Sequence, residues 1–140
     1  MERRQFFGTL GGPMLAACAV CMGACGKSDS GGGFTGGGVS ANFTIDLTSN
    51  LTAIGSSIVS NGVIVVRLAS GNTTSSFTAV QVACTHEGTA IGYNASAGKF
   101  ICPNHGSTFA NNGTVTLGPA AANLKQYNIA IAGNIMTVTG

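Results

Sequence analysis

Charge is what this chain has least of. Six basic and four acidic side chains are spread over 140 residues, and beyond the N-terminal 26 residues only Lys27, Asp29, Asp46, Arg67, Glu87, Lys99 and Lys125 remain. Four scattered cations cannot form the basic stripe that tracks a phosphate backbone, which excludes nucleic acid as a partner. Nor is there a field strong enough to steer a charged ligand, so a partner has to be recognised by shape, apolar contact and hydrogen bonds. Histidine is scarcer still, with only His86 and His105 in the whole chain. Helical patterning is missing too. After Gly38 no segment repeats apolar residues at helical spacing between capping residues, which leaves an all-β domain of about nine or ten short strands. A chain of this length holds one small domain at most.

What is present falls into three parts. Residues 1–25 read as an export signal: Arg3 and Arg4 precede Phe6 and Phe7, then an uncharged run follows, and the paired arginines resemble the twin-arginine class. Leu15-Ala16-Ala17-Cys18 and Met22-Gly23-Ala24-Cys25 both fit a lipoprotein cleavage box, so lipidation is expected at Cys25 or Cys18. An uncleaved run over residues 6–26 is long enough to serve as a membrane span instead. Residues 26–38 are rich in glycine and serine and read as a flexible linker. Residues 39–140 form the domain. Phe43, Ile45 and Leu47 alternate with polar residues, the period of a half-buried strand. Asn61-Gly62 between apolar runs marks a hairpin. Val63 to Leu68 is apolar enough for a strand covered on both faces, with Arg67 expected near an edge. Further strands are expected over 76–83, 114–117, 124–131 and 135–138. A hairpin over 90–101 has its tip at residues 94–98. Residues 118–123 read as a loop.

The chemistry gathers in two short stretches. Cys84-Thr85-His86 is followed fifteen residues later by Cys102-Pro103-Asn104-His105-Gly106-Ser107. Each stretch offers a thiolate and an imidazole at close range. Four such ligands suit a single zinc ion, or a two-iron cluster with cysteines on one iron and histidines on the other. A disulfide between Cys84 and Cys102 is a further possibility in an oxidising compartment, but it leaves both histidines without a role.

The order Cys-x-His then Cys-x-x-His-Gly-Ser resembles the Rieske iron–sulfur proteins. The likeness extends through Phe109 and Gly113 to Gly118-Pro119-Ala120 and Leu124, as in the branch serving quinol-oxidising cytochrome complexes and arsenite oxidase. It implies one [2Fe-2S] cluster, with Cys84 and Cys102 on the inner iron and His86 and His105 on the outer one. It also implies antiparallel sheets in three layers with a small cluster-binding subdomain. On the same resemblance Pro103 stiffens the approach of His105, and Ser107 donates a hydrogen bond to a bridging sulfide. Gly88, Gly106 and Gly113 sit where the backbone turns tightly. The chain departs from the branch in three places. Thr89 and Asn104 stand where a pair of disulfide-forming cysteines is usual, and Phe109 stands where tyrosine is common. Asn104 can then join the loops only through hydrogen bonds, and Glu87 is expected to be solvated.

The implied function is one-electron transfer outside the cytoplasmic membrane. The N-terminus tethers the domain, which has no catalytic centre of its own, and the partners are membrane or periplasmic redox proteins such as a cytochrome or an oxidase subunit. Alternatives are a subunit of a quinol- or arsenite-oxidising complex, and a structural surface protein that reuses the fold. Aromatic-ring oxygenation by this chain alone is excluded, because once His86 and His105 are used no site of two histidines and a carboxylate can be assembled.

Overall fold

The computed structural model describes residues 40–140. The expected export signal over 1–25, the linker over 26–38, and Cys18 and Cys25 lie outside the described residues. Among the described residues there are ten strands: β1 (Asn42–Asp46), β2 (Ser57–Ser60), β3 (Val63–Arg67), β4 (Phe77–Gln81), β5 (Gly92–Asn94), β6 (Lys99–Ile101), β7 (Thr108–Phe109), β8 (Val115–Leu117), β9 (Asn128–Ala132) and β10 (Ile135–Thr139). The domain is all-β, with three antiparallel sheets ordered β1-β10-β9, β2-β3-β4 and β5-β6-β7-β8. Among the described residues no helix is long and apolar enough to cross a membrane.

β3 explains the layering. All five of its residues are buried, as expected of a strand with no solvent face. Successive side chains point to opposite faces, and the packing follows that alternation. Val63 and Val65 join a core with Ile45, Phe77, Ala79, Met136 and Val138, drawn from β1, β4 and β10. Ile64 and Val66 join a second core with Val80, Val82, Ile91, Phe100, Phe109, Ala120 and Leu124. The β2-β3-β4 sheet is therefore a middle layer, with the β1-β10-β9 sheet on one face and the β5–β8 sheet on the other. The hairpin before β3 is tight because Ser60 pairs with Val63. Asn61 and Gly62 take φ of 49° and 76°, the left-handed pair that a two-residue turn requires.

Several local expectations are revised. Arg67 is not at an edge but ends the middle strand, with 6% of its surface exposed. Its guanidinium donates to the carbonyl of Leu51, to Gly71 O at 2.8 Å and to Asn72 Oδ1 at 2.8 Å. It also lies 4.5 Å from the Phe77 ring centroid. Burial of the charge is tolerated because the donors are matched. The approach to β4 opens with a 3₁₀ turn, Thr74–Ser76, where Ser76 N donates to Thr73 O and the two hydroxyls lie 2.9 Å apart. Local Ser/Thr bonds of this kind compete with strand pairing. β9 starts four residues later than expected, because residues 124–127 change partners. Leu124 N donates to Gly113 O, while Lys125 O and Ala79 O pair this stretch with β4. Only from Asn128 does the chain pair with β10.

Candidate metal centre

The two loops that close the β5–β8 end are built alike. In the first, Cys84 N donates to Thr89 O and Gly88 N to Cys84 O, each at 2.8 Å. In the second, Cys102 N donates to Ser107 O at 2.8 Å and Gly106 N to Cys102 O at 3.0 Å. Each loop thus leaves a cysteine and returns five residues later, and the fifth residue of each, Gly88 and Gly106, has φ of 76° and 78°. A side chain there would strain the turn, so glycine is required. The expectation for these two glycines holds, as it does for Gly113 at φ 81°.

The hairpin of β5 and β6 carries the chain from one loop to the other. Tyr93 pairs with Phe100, and their rings meet edge to face. Both thiols face the core, with Cys84 3% and Cys102 2% exposed. They are free, not bridged. Burial pushes the Cys84 thiol above its ordinary range. The backbone N–H groups of His86 and Glu87, aimed at the sulfur, pull the other way, and the adjacent Cys102 thiol adds to the rise. The imidazoles sit on the opposite side of this arrangement. His86 and His105 are exposed, and their ring centroids are 5.0 Å apart, edge to face.

A third segment closes the site. The loop expected over 118–123 is present. Ala120 is buried in the second core, and its N–H donates to Ser107 Oγ at 3.0 Å. Thr85 Oγ1, between the first cysteine and histidine, donates to Ala122 O at 2.6 Å. The fully buried Ser107 hydroxyl therefore accepts from this segment, and its own proton stays available for an acceptor in the site. Phe109 is also fully buried and pairs with Phe100 across β6 and β7. Pro103 is exposed and lines a shallow depression with Gly92, Tyr93, Asn94 and Ile101.

One participant was missed in the sequence. Glu87 does reach solvent, with 54% of its side chain exposed, but its Oε2 is 3.8 Å from His105 Nδ1 and accepts from Asn104 Nδ2 at 3.1 Å. His86, Glu87 and His105 each place a potential ligand atom within 4.8 Å of the others. The available signal was its position next to the first histidine.

Two buried thiols beside two exposed imidazoles, held by twin loops on a three-layered β fold, define a small metal-binding redox domain. The chain belongs to the Rieske [2Fe-2S] domain family, which it matches over residues 44–128, and its cofactor is an iron–sulfur cluster. The donor set fits that group, because the softer sulfur atoms of Cys84 and Cys102 lie in the core and the ring nitrogens of His86 and His105 lie outside it. The cytochrome b6-f complex iron-sulfur subunit of Trichodesmium erythraeum is 30% identical over 99% of this chain and 84% of its own length. The corresponding subunit of Cyanothece sp. is 43% identical over 56 residues, 40% of this chain, and that match spans 31% of the subunit's length. Among solved structures, the cyanobacterial plasma membrane Rieske protein PetC3 from Synechocystis PCC 6803 superposes with a TM-score of 0.59 at 31% identity. That superposition covers 70% of this chain and 99% of PetC3.

Proposed function

We propose that Cys84 and Cys102 hold one iron of a [2Fe-2S] cluster and His86 and His105 the other, and that the protein passes single electrons to a redox partner outside the cytoplasmic membrane. The observation that carries this reading is the division of the donors into a buried thiol pair and an exposed imidazole pair. Bound there, the cluster supplies a one-electron couple within roughly −150 to +300 mV. The chain's own residues do the rest. The core around Cys84 and Cys102 keeps water from the sulfur side, and Ser107 offers its hydroxyl proton inward. His86 and His105 present ring edges to the surface, where a partner can accept a hydrogen bond and shorten the path for the electron. The membrane address is supported by the plasma-membrane description of the Synechocystis protein. It is also supported by the Arg3-Arg4 signal and the candidate lipid sites Cys25 and Cys18. The similarity to b6-f subunits favours a partner within a quinol-oxidising cytochrome complex, which makes the subunit role the second reading.

Optical and electron-spin spectra of the protein purified after native export test the assignment. A Rieske-type signal that is lost on His105→Cys or His86→Cys, and replaced by the spectrum of a centre with three cysteines and one histidine, is the expected result. A colourless protein containing zinc would refute it. Ser107→Ala, which removes the inward proton, should lower the midpoint by some tens of millivolts, because donors to the cluster favour its reduced form. Voltammetry showing no change would remove that hydrogen bond. The address has its own test. Arg3→Lys with Arg4→Lys should leave cluster-loaded precursor in the cytoplasm, and mass spectrometry of the mature protein should find acyl chains on Cys25 or Cys18.

A further inference from the structure

We propose that Glu87 and Asn104 form a polar clamp across the two ligand loops, and that the clamped carboxylate is a positioning group for His105 that holds down the reduction potential. This rests on the ligand assignment proposed above. The backbone bonds of each loop close on that loop alone, Cys84 with Gly88 and Thr89, Cys102 with Gly106 and Ser107. The loop tips are joined by one carboxylate oxygen. Glu87 Oε2, from the first loop, accepts from Asn104 Nδ2 at 3.1 Å and stands 3.8 Å from His105 Nδ1 in the second. A single atom thereby bonds across the loops beside the edge-to-face contact of His86 with His105, and sets the environment of one imidazole.

The charge matters because, among the described residues, neither Arg67 nor Lys99 pairs with it. Among the described residues the acidic side chains are Asp46 and Glu87. Asp46 ends β1 and bonds within its own turn. The cations Arg67 and Lys99 are on β3 and at the start of β6, and neither is ion-paired with Glu87. A fixed negative charge beside a histidine ligand opposes the arrival of an electron, because reduction adds charge of the same sign. The bond to an ionised acceptor is also stronger than a neutral one, so Asn104 keeps the carboxylate near His105 instead of leaving it free to swing into solvent. Loop separation and potential are then controlled by the same pair.

The full-length protein, loaded with its cluster, gives separate readouts. Glu87→Gln keeps an acceptor for Asn104 and removes the charge. At a fixed poise it should raise the ratio of reduced to oxidised protein about threefold, roughly 28 mV on a scale of about 59 mV per decade for one electron. Asn104→Ala should speed loss of the cluster to a chelator about threefold, and this acceleration should disappear on a Glu87→Ala background, where there is no acceptor left to lose. Glu87→Gln poising with wild type would overturn the proposal. So would Asn104→Ala accelerating loss equally on both backgrounds. The parent assignment fails separately and earlier: a wild-type protein with no Rieske-type spectrum removes both, whereas a normal wild-type spectrum with unaltered variants removes the clamp alone.

Discussion

On one face of the middle sheet, Val63 and Val65 meet the β1-β10-β9 sheet, whose β1, β9 and β10 each run for five residues and pair in continuous register. On the other face, Ile64 and Val66 meet strands of two or three residues, with a register shift between β7 and β8. Ladder length alone makes the first region the more self-sufficient, since paired strands and a continuous apolar face supply most of its order. The second has short ladders, two loops and a capping segment, and its core includes the thiols Cys84 and Cys102. Much of its order must come from groups that bind something. One side of the molecule is the scaffold with long, regular ladders, and the other, with short ladders, carries the two thiols.

The largest test of that contrast is removal of the cluster. Replacing Cys84 and Cys102 together by Ser should lower amide protection in β5–β8 by about a thousandfold, because binding free energy in such a site is also folding free energy. Protection in β1, β9 and β10 should change far less. Hydrogen exchange read by mass spectrometry measures both regions in one sample, and equal loss in the two would mean that they fold as a single unit. Next in size is Met136→Ala. Met136 is fully buried in the first core, so the substitution should cost about 3 kcal/mol of global stability, within the range for large core side chains cut to alanine. The visible spectrum of the loaded protein should stay unchanged. A spectral change would show that the scaffold transmits strain to the site.

Gly113→Ala probes the seam between the regions. At φ 81° a Cβ is strained, and it would also come within 2.9 Å of Leu124 O and 3.2 Å of Leu124 Cβ. Leu124 N bonds back to Gly113 O, so the clash falls where the chain leaves the capping segment for the middle sheet. The expected cost is about 2 kcal/mol, accompanied by faster cluster loss. If denaturant melts show the stability cost while chelator kinetics stay at the wild-type rate, the seam does not support the site.

The two regions were unequally legible in the sequence. Alternation in Phe43, Ile45 and Leu47, the Asn61-Gly62 turn and the apolar run from Val63 are local signals, and the scaffold follows them. The two Cys/His loops were legible as a candidate site for another reason: only two histidines exist, and each lies two or three residues after a cysteine. β7 carries too few residues for its period to show, and it exists because Phe109 and Thr108 pair with Phe100 and Ile101 across the site. The bonds of Arg67 to Leu51, of Ala120 to Ser107 and of Glu87 to Asn104 join residues sixteen, thirteen and seventeen apart in sequence, respectively. No window on the sequence brings Asn104 beside Glu87. The loop fold does.

The smallest expected effect sharpens the scaffold side. Asp46 ends β1, and its Oδ1 accepts from Thr48 Oγ1 at 2.7 Å and from Thr48 N at 2.8 Å. The hydroxyl bond first and the backbone bond second hold its pKa below the ordinary 3.8, because both favour the ionised form. A folded pKa lower than the unfolded one means that the unfolded chain takes up the proton first as acid is added. The stabilisation is therefore complete above pH 3.8 and is lost as pH falls from there through the folded value. Asp46→Asn retains an acceptor but cannot ionise, so its stability should change less with pH below 3.8 than that of the wild type, which should be slightly the more stable near neutrality and converge on the variant in acid. Asp46 is solvent-exposed, and the difference should be small and shrink with added salt. Thermal melts of the two proteins from pH 5 down to about 2 read the slope directly. Because the bonded pair lies in a β1 turn remote in sequence from the ligand loops, hydrogen exchange at the acid end should rise first in β1 and its partner β10. A first loss in β5–β8 would instead assign the acid sensitivity to the cluster side.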